Sequence, residues 1–312
     1  MKLTYPNLHD VRVVIPTLNA EGHFGELLPA LGAQGLAPNQ VLILDSSSTD
    51  KTRELALAFG AQVHVIPREE FDHGTTRTLA ATMLSNAEYL IYLTQDAVPA
   101  HSGSFAAIIA EFADEKVGMA FGRQLPRKSA SAIEAHARIF NYPPKSSLRT
   151  FSDRHRLGIK TVFCSNSFAA YRYRDLAHVG FFPSPSYFAE DQIVASRILL
   201  ADRVVAYSAK ATVYHSHNYS ISQEFKRYFD IGVFHSQNRW LIELFGRPEG
   251  EGLRYIKSEI AYLWHHEPLS IPSALTRAAG KYAGYNLGLL EANLSVSSKM
   301  RLSAQPSYWK HR

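Results

Sequence analysis

Acidic residues stand at three places in the chain where an apolar run ends or a helix begins. Asp45 and Asp96 each follow a run of apolar residues, and Glu190-Asp191 precede a later helical stretch. A single acid in such a position is most often a helix cap or a turn residue. Acids at the carboxyl ends of different parallel strands, however, converge on one crevice of the sheet. Three acidic positions in this order therefore predict a shared polar pocket.

Asp96 is the best candidate for a metal ligand. Mg²⁺ usually binds through one or two carboxylates together with substrate phosphates, whereas an additional imidazole nitrogen suits Mn²⁺ better. His215 and His217 alternate with Val213, which predicts that both rings project from one face of a strand. Either histidine alone could instead be bonded to the backbone. We expect a divalent cation, Mg²⁺ or Mn²⁺, at Asp96 with one or both histidines.

Asp191 is the candidate general base. A hydroxyl group is a weak nucleophile at neutral pH until a positioned carboxylate takes its proton. Glu190 would then contact the same substrate or tune the pKa of its neighbour. The alternative interpretation is that two acids at the start of a helix serve only the helix dipole.

A polar loop that contains His73 and Gly74 opens another helix. Free backbone N–H groups and the helix dipole favour an anion at such a place. Arg77 would lie one turn into the helix, within reach of a diphosphate or the edge of a base. Alone this is a weak phosphate signal, and the chain has neither a Walker motif nor a GxGxxG pattern.

The elements that must hold these residues show as alternating strand and helix patterns. Five apolar runs are predicted to be strands, at Val11–Ile15, Val41–Leu44, Val63–Ile66, Tyr89–Leu93 and Val117–Gly122. Helices are expected between them, the first over Ala20–Gln34 with Asn19 as its cap. This rhythm predicts an α/β fold with a mostly parallel sheet and helices on both faces.

The alternating pattern ends after Gly122. Thr161–Tyr171 is predicted to be a strand that carries Asn166, and Val204–Tyr207 and Ala211–His217 are predicted to be two further strands. Beyond them the periodicity is helical to about residue 294, with many aromatic residues. The last residues, Ser297–Arg312, are predicted to form a loose tail.

Composition narrows the class of protein. The 312 residues carry a net charge of +5 with scattered lysine and arginine, which disfavours a nucleic-acid partner and favours an anionic lipid surface or an anionic donor. The single cysteine, Cys164, excludes an internal disulfide framework. Met1–Pro16 lacks a signal-peptide pattern, and no run approaches the roughly 20 apolar residues of a membrane span. We expect a cytoplasmic protein, soluble or peripheral at the inner face of the plasma membrane.

Several short motifs resemble one enzyme family. They are Val14-Ile15-Pro16-Thr17-Leu18-Asn19, Asp45-Ser46-Ser47-Ser48-Thr49-Asp50, Thr94-Gln95-Asp96-Ala97, Glu190-Asp191 and the late histidine. In this order they resemble the inverting family 2 glycosyltransferases with a GT-A fold. Three segments are similar to its bacterial rhamnosyltransferase branch: Phe71-Asp72-His73-Gly74 with Arg77, Thr94-Gln95-Asp96-Ala97, and His215-Ser216-His217-Asn218-Tyr219. The resemblance covers roughly residues 10 to 220.

The resemblance implies a role for each matching position. Asp191 would be the base, with Glu190 beside it, and Asp96 would ligate the metal with His215 or His217. Asp45 would bond the pyrimidine base of the donor. The implied nucleotide-sugar site comprises Pro16, Thr17, Asn19, Asp45, Ser47, His73, Gly74, Arg77, Thr94, Gln95, Asp96 and Asn166. Thr94 departs from the family pattern, since many relatives carry an acid there.

The resemblance also implies the substrates. The expected donor is dTDP-L-rhamnose, and the expected acceptor is a hydroxyl of a bacterial cell-surface polysaccharide or lipid-linked glycan, of the O-antigen or capsule type. A UDP-hexose donor and a non-catalytic nucleotide-binding subunit are the alternatives. Residues 1–220 would form the catalytic domain. Residues 221–312 would form a helical region for acceptor, membrane or oligomer contacts, or would simply pack against the sheet.

Overall fold

The chain folds around one mixed sheet, seen in a computed structural model that describes residues 8–186, 188–246 and 250–311. The prediction for Met1–Pro16 falls partly outside these ranges, as does Arg312 of the predicted tail. Nine strands are described: β1 (Val11–Thr17), β2 (Val41–Asp45), β3 (Gln62–Val65), β4 (Tyr89–Leu93), β5 (Val98–Pro99), β6 (Val117–Leu125), β7 (Ser147–Arg149), β8 (Phe168–Arg172) and β9 (Val204–Tyr214). The predicted α/β fold is confirmed.

Helices cover the sheet and form the C-terminal region. Those before residue 201 are α1 (Glu21–Gly32), α2 (Thr52–Phe59), α3 (His73–Met83), α4 (Ser104–Ala110), α5 (Ala132–Asn141), α6 (Arg154–Leu157), α7 (Tyr173–His178) and α8 (Glu190–Leu200). The later ones are α9 (Ile221–Gln237), α10 (Arg239–Phe245), α11 (Glu251–His266), α12 (Ile271–Leu289) and α13 (Val296–Leu302). The helical C-terminal region is therefore confirmed.

The strand order reverses between β1 and β4. The sheet runs β3-β2-β1-β4-β8-β6-β9-β5, and β7 pairs with β9. After β1 the chain builds outward through β2 and β3, then returns to place β4 on the other side of β1. These four strands are parallel, so their carboxyl ends share one edge of the sheet. A reversal in strand order is where open α/β sheets bind ligands.

The continuous apolar runs are explained by burial on both faces of the sheet. Val13 and Ile15 of β1 belong to one hydrophobic cluster, while Val14 belongs to the cluster on the opposite face. In β2, Ile43 and Leu44 likewise lie in the clusters on opposite faces of the sheet. Parallel strands covered by helices on both sides lose the alternation of polar and apolar residues.

Two strand predictions need correction. Thr161–Tyr171 is not one strand, because β8 begins only at Phe168, which pairs with Leu93 at the end of β4. Residues 164–167 extend past that end, have no neighbouring strand and form a loop. Val204–Tyr207 and Ala211–His217 are not separate strands, since β9 runs unbroken from Val204 to Tyr214, with an irregularity in its pairing with β6.

Two further local predictions are also wrong. The residue before α1 is Ala20, and it makes no side-chain capping bond; Asn19 is instead used to hold another loop. The predicted tail is ordered, because α13 and a 3₁₀ turn at Pro306–His311 fold back on the molecule. Trp309 is buried against Phe229 and Val233 of α9, which holds the end of the chain in place.

Helices α9 and α12 pack unusually closely through glycine. A Cβ atom at Gly284 would lie 2.4 Å from the carbonyl oxygen of Phe225, and one at Gly288 would lie 2.1 Å from that of Phe229. Gly232 of α9 approaches the backbone of α12 in the same way. No helix in the described ranges combines the length and apolar character that a bilayer crossing requires.

The close contacts of glycine between α9 and α12 predict how substitutions there change the free energy of unfolding. We expect Gly288→Ala to lower the free energy of unfolding by about 2 kcal/mol or more, because the new methyl group meets backbone that cannot move independently. Gly280→Ala in the same helix is the matched control, since its Cβ would lie 3.8 Å from Ile221. It should be neutral or stabilising by up to about 1 kcal/mol. Chemical denaturation of both variants checks this, and equal effects would contradict it.

Candidate functional site

Asp45 organises the turn that follows β2. Its buried carboxylate accepts hydrogen bonds from the Ser48 N–H at 2.9 Å and from the Thr17 hydroxyl at 3.3 Å. The Ser48 hydroxyl is a third donor, and the Arg53 guanidinium lies 3.8 Å away. The carboxylate therefore shapes the floor of the crevice, and its contact with a pyrimidine base stays a prediction.

Asn19 and Ser47 lie opposite each other in the loops after β1 and β2. Both adopt left-handed backbone, with φ of 49° and 56°. The Asn19 side-chain oxygen accepts from the Thr49 N–H at 2.9 Å, and the Asn19 N–H donates to Ser48 Oγ at 2.8 Å. Such backbone costs of order 1 kcal/mol and clusters at ligand sites.

Gln95 joins the two sides of the crevice. Its side chain accepts from the Leu18 N–H at 2.8 Å and donates to the Leu18 carbonyl at 3.2 Å. The loop after β1, a strand that ends with Pro16 and Thr17, is thereby tied to the loop after β4, which carries Thr94 and Asp96. The Gln95 side chain thus makes the two hydrogen bonds, one accepted and one donated, that a neighbouring backbone segment would make with Leu18.

Asp96, His215 and His217 meet at one point. Asp96 Oδ2 lies 3.3 Å from His215 Nε2 and 3.2 Å from His217 Nε2, and the two nitrogens are 3.1 Å apart. The histidines were predicted on a strand, but β9 ends at Tyr214 and both lie in the loop beyond it. The predicted convergence of their rings is nevertheless present.

Gln124 defines the proton on His215. Its side-chain oxygen accepts from the Arg138 guanidinium at 2.6 Å, and arginine can only donate. The same oxygen lies 2.9 Å from His215 Nδ1, so Nδ1 must carry the hydrogen. The lone pair of neutral His215 is then on Nε2, facing Asp96. A lone pair and a carboxylate that face each other repel, and a cation between them would remove that repulsion.

The electrostatics of this cluster suit a cation. Burial alone would raise the pKa of Asp96, but the adjoining His215 and His217 imidazoles and the Thr94 side chain hold it well below its usual range. Burial and the neighbouring His215, Arg138 and Arg227 lower the pKa of His217 to about 4, against the opposing effect of Asp96. One carboxylate and two imidazoles are ligands for a divalent transition metal, and the three ligand atoms lie within 4.8 Å of one another.

Glu190 and Asp191 begin α8, and their environments differ. Glu190 is buried, 2.9 Å from an Arg77 nitrogen and 2.9 Å from the Asn166 side-chain nitrogen. Asp191 is partly exposed and accepts from the backbone N–H groups of Asn166 at 3.0 Å and Gln192 at 2.8 Å. The ion pair shows that the acids do more than cap a helix.

The pKa values of the two acids diverge. Burial would raise the pKa of Glu190, but the Arg77 charge, His73 and the Asn166 bond lower it. Burial and the neighbouring Glu190 charge raise the pKa of Asp191 to about 7. An acid whose pKa is near neutral beside one that stays ionised is the arrangement that acid–base chemistry needs.

The start of α3 is occupied by protein groups. The Asp72 side chain accepts from the N–H groups of Thr75 and Ser186, each at 2.8 Å. Gly74 is required by the close approach of the neighbouring segment, since a Cβ would lie 1.8 Å from the Pro183 carbonyl oxygen. The His73 ring is 3.2 Å from Arg77. Arg77 thus pairs with Glu190, and anion binding by these residues stays a prediction.

The loop from Ser165 to Ser167 connects the two halves of the site. Ser165 accepts from the Gln124 side-chain nitrogen at 3.0 Å, Asn166 contacts both acids, and the Ser167 carbonyl accepts from the Thr94 N–H at 3.4 Å. The metal-type cluster and the acid pair therefore share one supporting loop. Gln124 and Ser165 were missed from sequence, because only the pairing of β6 with β9 brings Gln124 to His215.

Three features together characterise a group-transfer enzyme that takes a nucleotide-linked donor. They are the reversal of strand order, the carboxylate–histidine cluster, and the pair of acids whose pKa values differ. Residues 12–180, more than half of the chain, match the family described as glycosyl transferase family 2. The chain belongs to this family, whose members invert configuration at the transferred sugar.

Two curated relatives are similar over nearly the whole chain. The O-antigen chain rhamnosyltransferase WbaN of Salmonella anatum is 41% identical over 300 residues, which is 96% of this chain and 95% of that protein. The O-antigen chain rhamnosyltransferase RfbN of Salmonella typhimurium is 40% identical over 302 residues, 96% of each.

Solved structures share the fold. The mannosyltransferase PcManGT from Pyrobaculum calidifontis, in complex with GDP-Man and Mn²⁺, has a TM-score of 0.56 at 17% identity, over 97% of this chain and 83% of that one. Residues 1–349 of S. aureus TarS, in complex with UDP-GlcNAc, give 0.51 at 14% identity, over 91% of each chain. The predicted GT-A fold is confirmed.

The hydrogen bond between Gln124 and His215 predicts that Gln124 affects the affinity of the cluster for a metal ion. We expect Gln124→Leu to weaken Mn²⁺ binding about 10–100-fold, because His215 loses the acceptor that orients its ring. Gln62→Leu, at an exposed position on β3, is the matched control. Titration followed by electron paramagnetic resonance measures the free ion, and equal affinities in the two variants would exclude this role for Gln124.

Proposed function

We propose that the protein transfers L-rhamnose from dTDP-L-rhamnose to a hydroxyl group of a bacterial glycan acceptor of the O-antigen type. The observation that carries the sugar assignment is the 40–41% identity, over 96% of the chain, to two O-antigen chain rhamnosyltransferases. The divided pKa values of Glu190 and Asp191 support an enzyme over a non-catalytic nucleotide-binding subunit, since a binder needs no base.

Asp191 serves as the general base in this proposal. Its ionised carboxylate takes the proton of the acceptor hydroxyl as the oxygen attacks the anomeric carbon. The bond from that carbon to the donor diphosphate breaks in the same displacement, so configuration inverts. Backbone N–H groups of Asn166 and Gln192 orient the carboxylate, and Asn166 also holds Glu190.

Asp96, His215 and His217 would hold the divalent ion, which supplies positive charge for the departing diphosphate. Two nitrogen ligands favour Mn²⁺ over Mg²⁺ in this proposal. The dTDP portion would occupy the crevice between the loops after β1 and β4. Release of dTDP from dTDP-L-rhamnose in the presence of a glycan acceptor, compared with UDP-hexose and GDP-mannose donors, is the direct test. Preference for another donor would overturn the sugar assignment.

If Asp191 is the base, its substitution should lower the turnover rate without changing the affinity for the donor. We expect Asp191→Asn to bind the donor normally but to lose at least about 10²-fold in kcat. Asp202→Asn, an exposed position shortly after α8, is the matched control and should turn over normally. Donor titration and steady-state kinetics check both. Unchanged turnover in Asp191→Asn would remove Asp191 from this role.

The raised pKa of Asp191 predicts the pH dependence. Only the ionised carboxylate accepts a proton, so kcat/KM should rise with pH through about 7 and level off above it. Glu190→Gln removes the neighbouring negative charge that raises this pKa, and its profile should shift to lower pH. A profile that stays flat from pH 5 to 8 would contradict the assignment.

We also propose that α12 rests on an anionic bilayer surface. None of the exposed residues of α12 is charged, and its apolar ones form a stripe at Leu275, Ala279, Tyr282, Ala283 and Leu287. Its two cations, Arg277 and Lys281, turn inward to Glu224 at 3.1 Å and 3.2 Å. The stripe is about 18 Å long, which is a larger continuous apolar surface than isolated exposed residues produce.

The neighbouring α11 has the chemistry of an interfacial helix. Trp264 is 67% exposed, and Leu269 in the turn after α11 is 94% exposed. Arg254 and Lys257 are exposed on the same helix, and the whole chain carries a net charge of +5. Aromatic and apolar side chains beside basic ones suit an anionic headgroup region.

This surface predicts vesicle binding. We expect co-flotation with phosphatidylglycerol-containing vesicles at low salt, weaker binding to pure phosphatidylcholine, and loss of binding in the double variant Leu275→Glu, Tyr282→Glu. Leu57→Glu, on the exposed side of α2, is the control. Absence of flotation would overturn the proposal. A concentration-dependent dimer that the double variant abolishes would show that a second copy covers α12 instead.

A further inference from the structure

Tyr171 of β8 contacts the loop that holds the acid pair. Strand β8 lies in the middle of the sheet, and Tyr171 is paired with Leu90 of β4 on one side and with Met119 of β6 on the other. Its side chain is fully buried. The hydroxyl lies 2.7 Å from the side-chain oxygen of Asn166. A tyrosine of the sheet is thus joined to the residue that contacts both acids.

The hydrogen bonds of the Asn166 side chain can run in only one direction. Glu190 is ionised beside the Arg77 guanidinium, so its oxygens can only accept. The Asn166 amide therefore presents its nitrogen to Glu190, at 2.9 Å, and its oxygen to Tyr171. An amide oxygen can only accept, so the Tyr171 hydroxyl is the donor. With the amide turned round, two acceptors would face each other at Glu190.

The Tyr171 hydroxyl is suited to this task because it keeps its proton and its position. Burial raises the pKa of Tyr171 well above its usual range, and the charges of Asp191 and Glu190 raise it further. The ring packs edge to face against Tyr92 and Phe182, with centroids 5.6 Å and 5.4 Å away. The hydroxyl is therefore a fixed, protonated donor.

Resting on the role of Asp191 as the base in the transfer proposed above, we infer that Tyr171 is a positioning residue for the acid pair. It holds the Asn166 amide in the one orientation that directs an N–H group at Glu190. That N–H group stabilises the charge on Glu190, which leaves Asp191 as the acid that takes up the proton. Tyr171 acts through Asn166, and the base itself is held by the Asn166 backbone N–H at 3.0 Å.

Other titratable or charged groups also face the two acids. They are Arg77 and His73 of α3, Cys164 of the loop, Tyr142 after α5 and Tyr171 itself. Burial raises the pKa values of the thiol and of both tyrosines, and it lowers that of the histidine. Burial thus favours the neutral form of these four groups, while arginine stays charged. Between pH 5.5 and 8, the proton that matters is the one shared by the acid pair.

The test uses a ratio of rates, because a ratio cancels any loss of active protein. We expect Tyr171→Phe to raise kcat/KM at pH 5.5, relative to kcat/KM at pH 8, by about threefold or more, since a neutral hydrogen bond is worth at least about that factor. Its loss weakens the bond from Asn166 to Glu190. At low pH the shared proton then lies more often on Glu190, and Asp191 is more often ionised.

Tyr92→Phe is the matched control. It removes a buried hydroxyl from the same group of rings, but that hydroxyl donates to the Arg77 backbone carbonyl at 2.8 Å and not to Asn166. Its ratio should equal that of the wild type, even if both variants melt at a lower temperature. Equal changes of the ratio in the two variants would assign the effect to looser packing and overturn the inference. An unchanged or lower ratio in Tyr171→Phe would overturn it as well.

A double variant tests whether Tyr171 acts through Asn166. Asn166→Ala removes the side-chain amide and keeps the backbone N–H that donates to Asp191. We expect Asn166→Ala to raise the same ratio, and we expect Tyr171→Phe to add nothing further in the Asn166→Ala background. Additive effects of the two substitutions would show that Tyr171 acts by another route and would overturn the inference.

The inference and the proposed function can fail separately. If the wild type transfers nothing from dTDP-L-rhamnose at either pH, the proposed function fails, but a carbon-13 NMR titration of labelled carboxyl groups still decides the role of Tyr171. The signal of Glu190 is identified by its absence in Glu190→Gln. A higher pKa of Glu190 in Tyr171→Phe than in the wild type and Tyr92→Phe would support the inference. An equal or lower pKa would exclude it.

Discussion

The site depends on two adjacent carboxylates that are kept largely out of water at the start of α8. Two like charges in a low-dielectric environment cannot both ionise without compensation. Arg77, itself almost fully buried, pairs with Glu190 and so leaves Asp191 as the group that holds a proton up to about pH 7. Losing one partner of a buried ion pair costs about 3–5 kcal/mol. The position of α3, which carries Arg77, is therefore coupled to that of α8.

The same principle governs the other half of the site. Asp96 faces two imidazoles, and the shell behind them, Gln124 and Arg138, determines which nitrogen of His215 carries a hydrogen. Because Ser165 contacts Gln124 and Asn166 contacts both acids, the two halves share one short loop. A shift in that loop would disturb the proton chemistry and the cation cluster together.

The C-terminal helices depend on close backbone packing. Close packing of α9 on α12 through Gly232, Gly284 and Gly288 fixes the first turns of α9. There the Arg227 guanidinium lies 5.5 Å from the Phe188 ring centroid and 5.9 Å from that of Tyr219. The final segment is held by Trp309, which is buried against α9. The residues on the outer side of α12 are then turned away from the protein. One helix pair thus holds the end of the chain and carries the exposed apolar surface.

The sequence by itself determined the α/β class, five strands to within a few residues, and the candidate acids and histidines, because strand burial and strand-end chemistry are local signals. It could not determine that the segment around Asn166 is a loop, that Arg77 pairs with Glu190 or that Gln124 orients His215. The Arg77–Glu190 and Gln124–His215 contacts join residues 113 and 91 positions apart, and the bond that ties Gln124 to Ser165 of this loop joins residues 41 positions apart. Only the strand order and the packing of α3, α8 and α9 bring them together, since hydrogen bonds and ion pairs depend on distances that local periodicity does not encode.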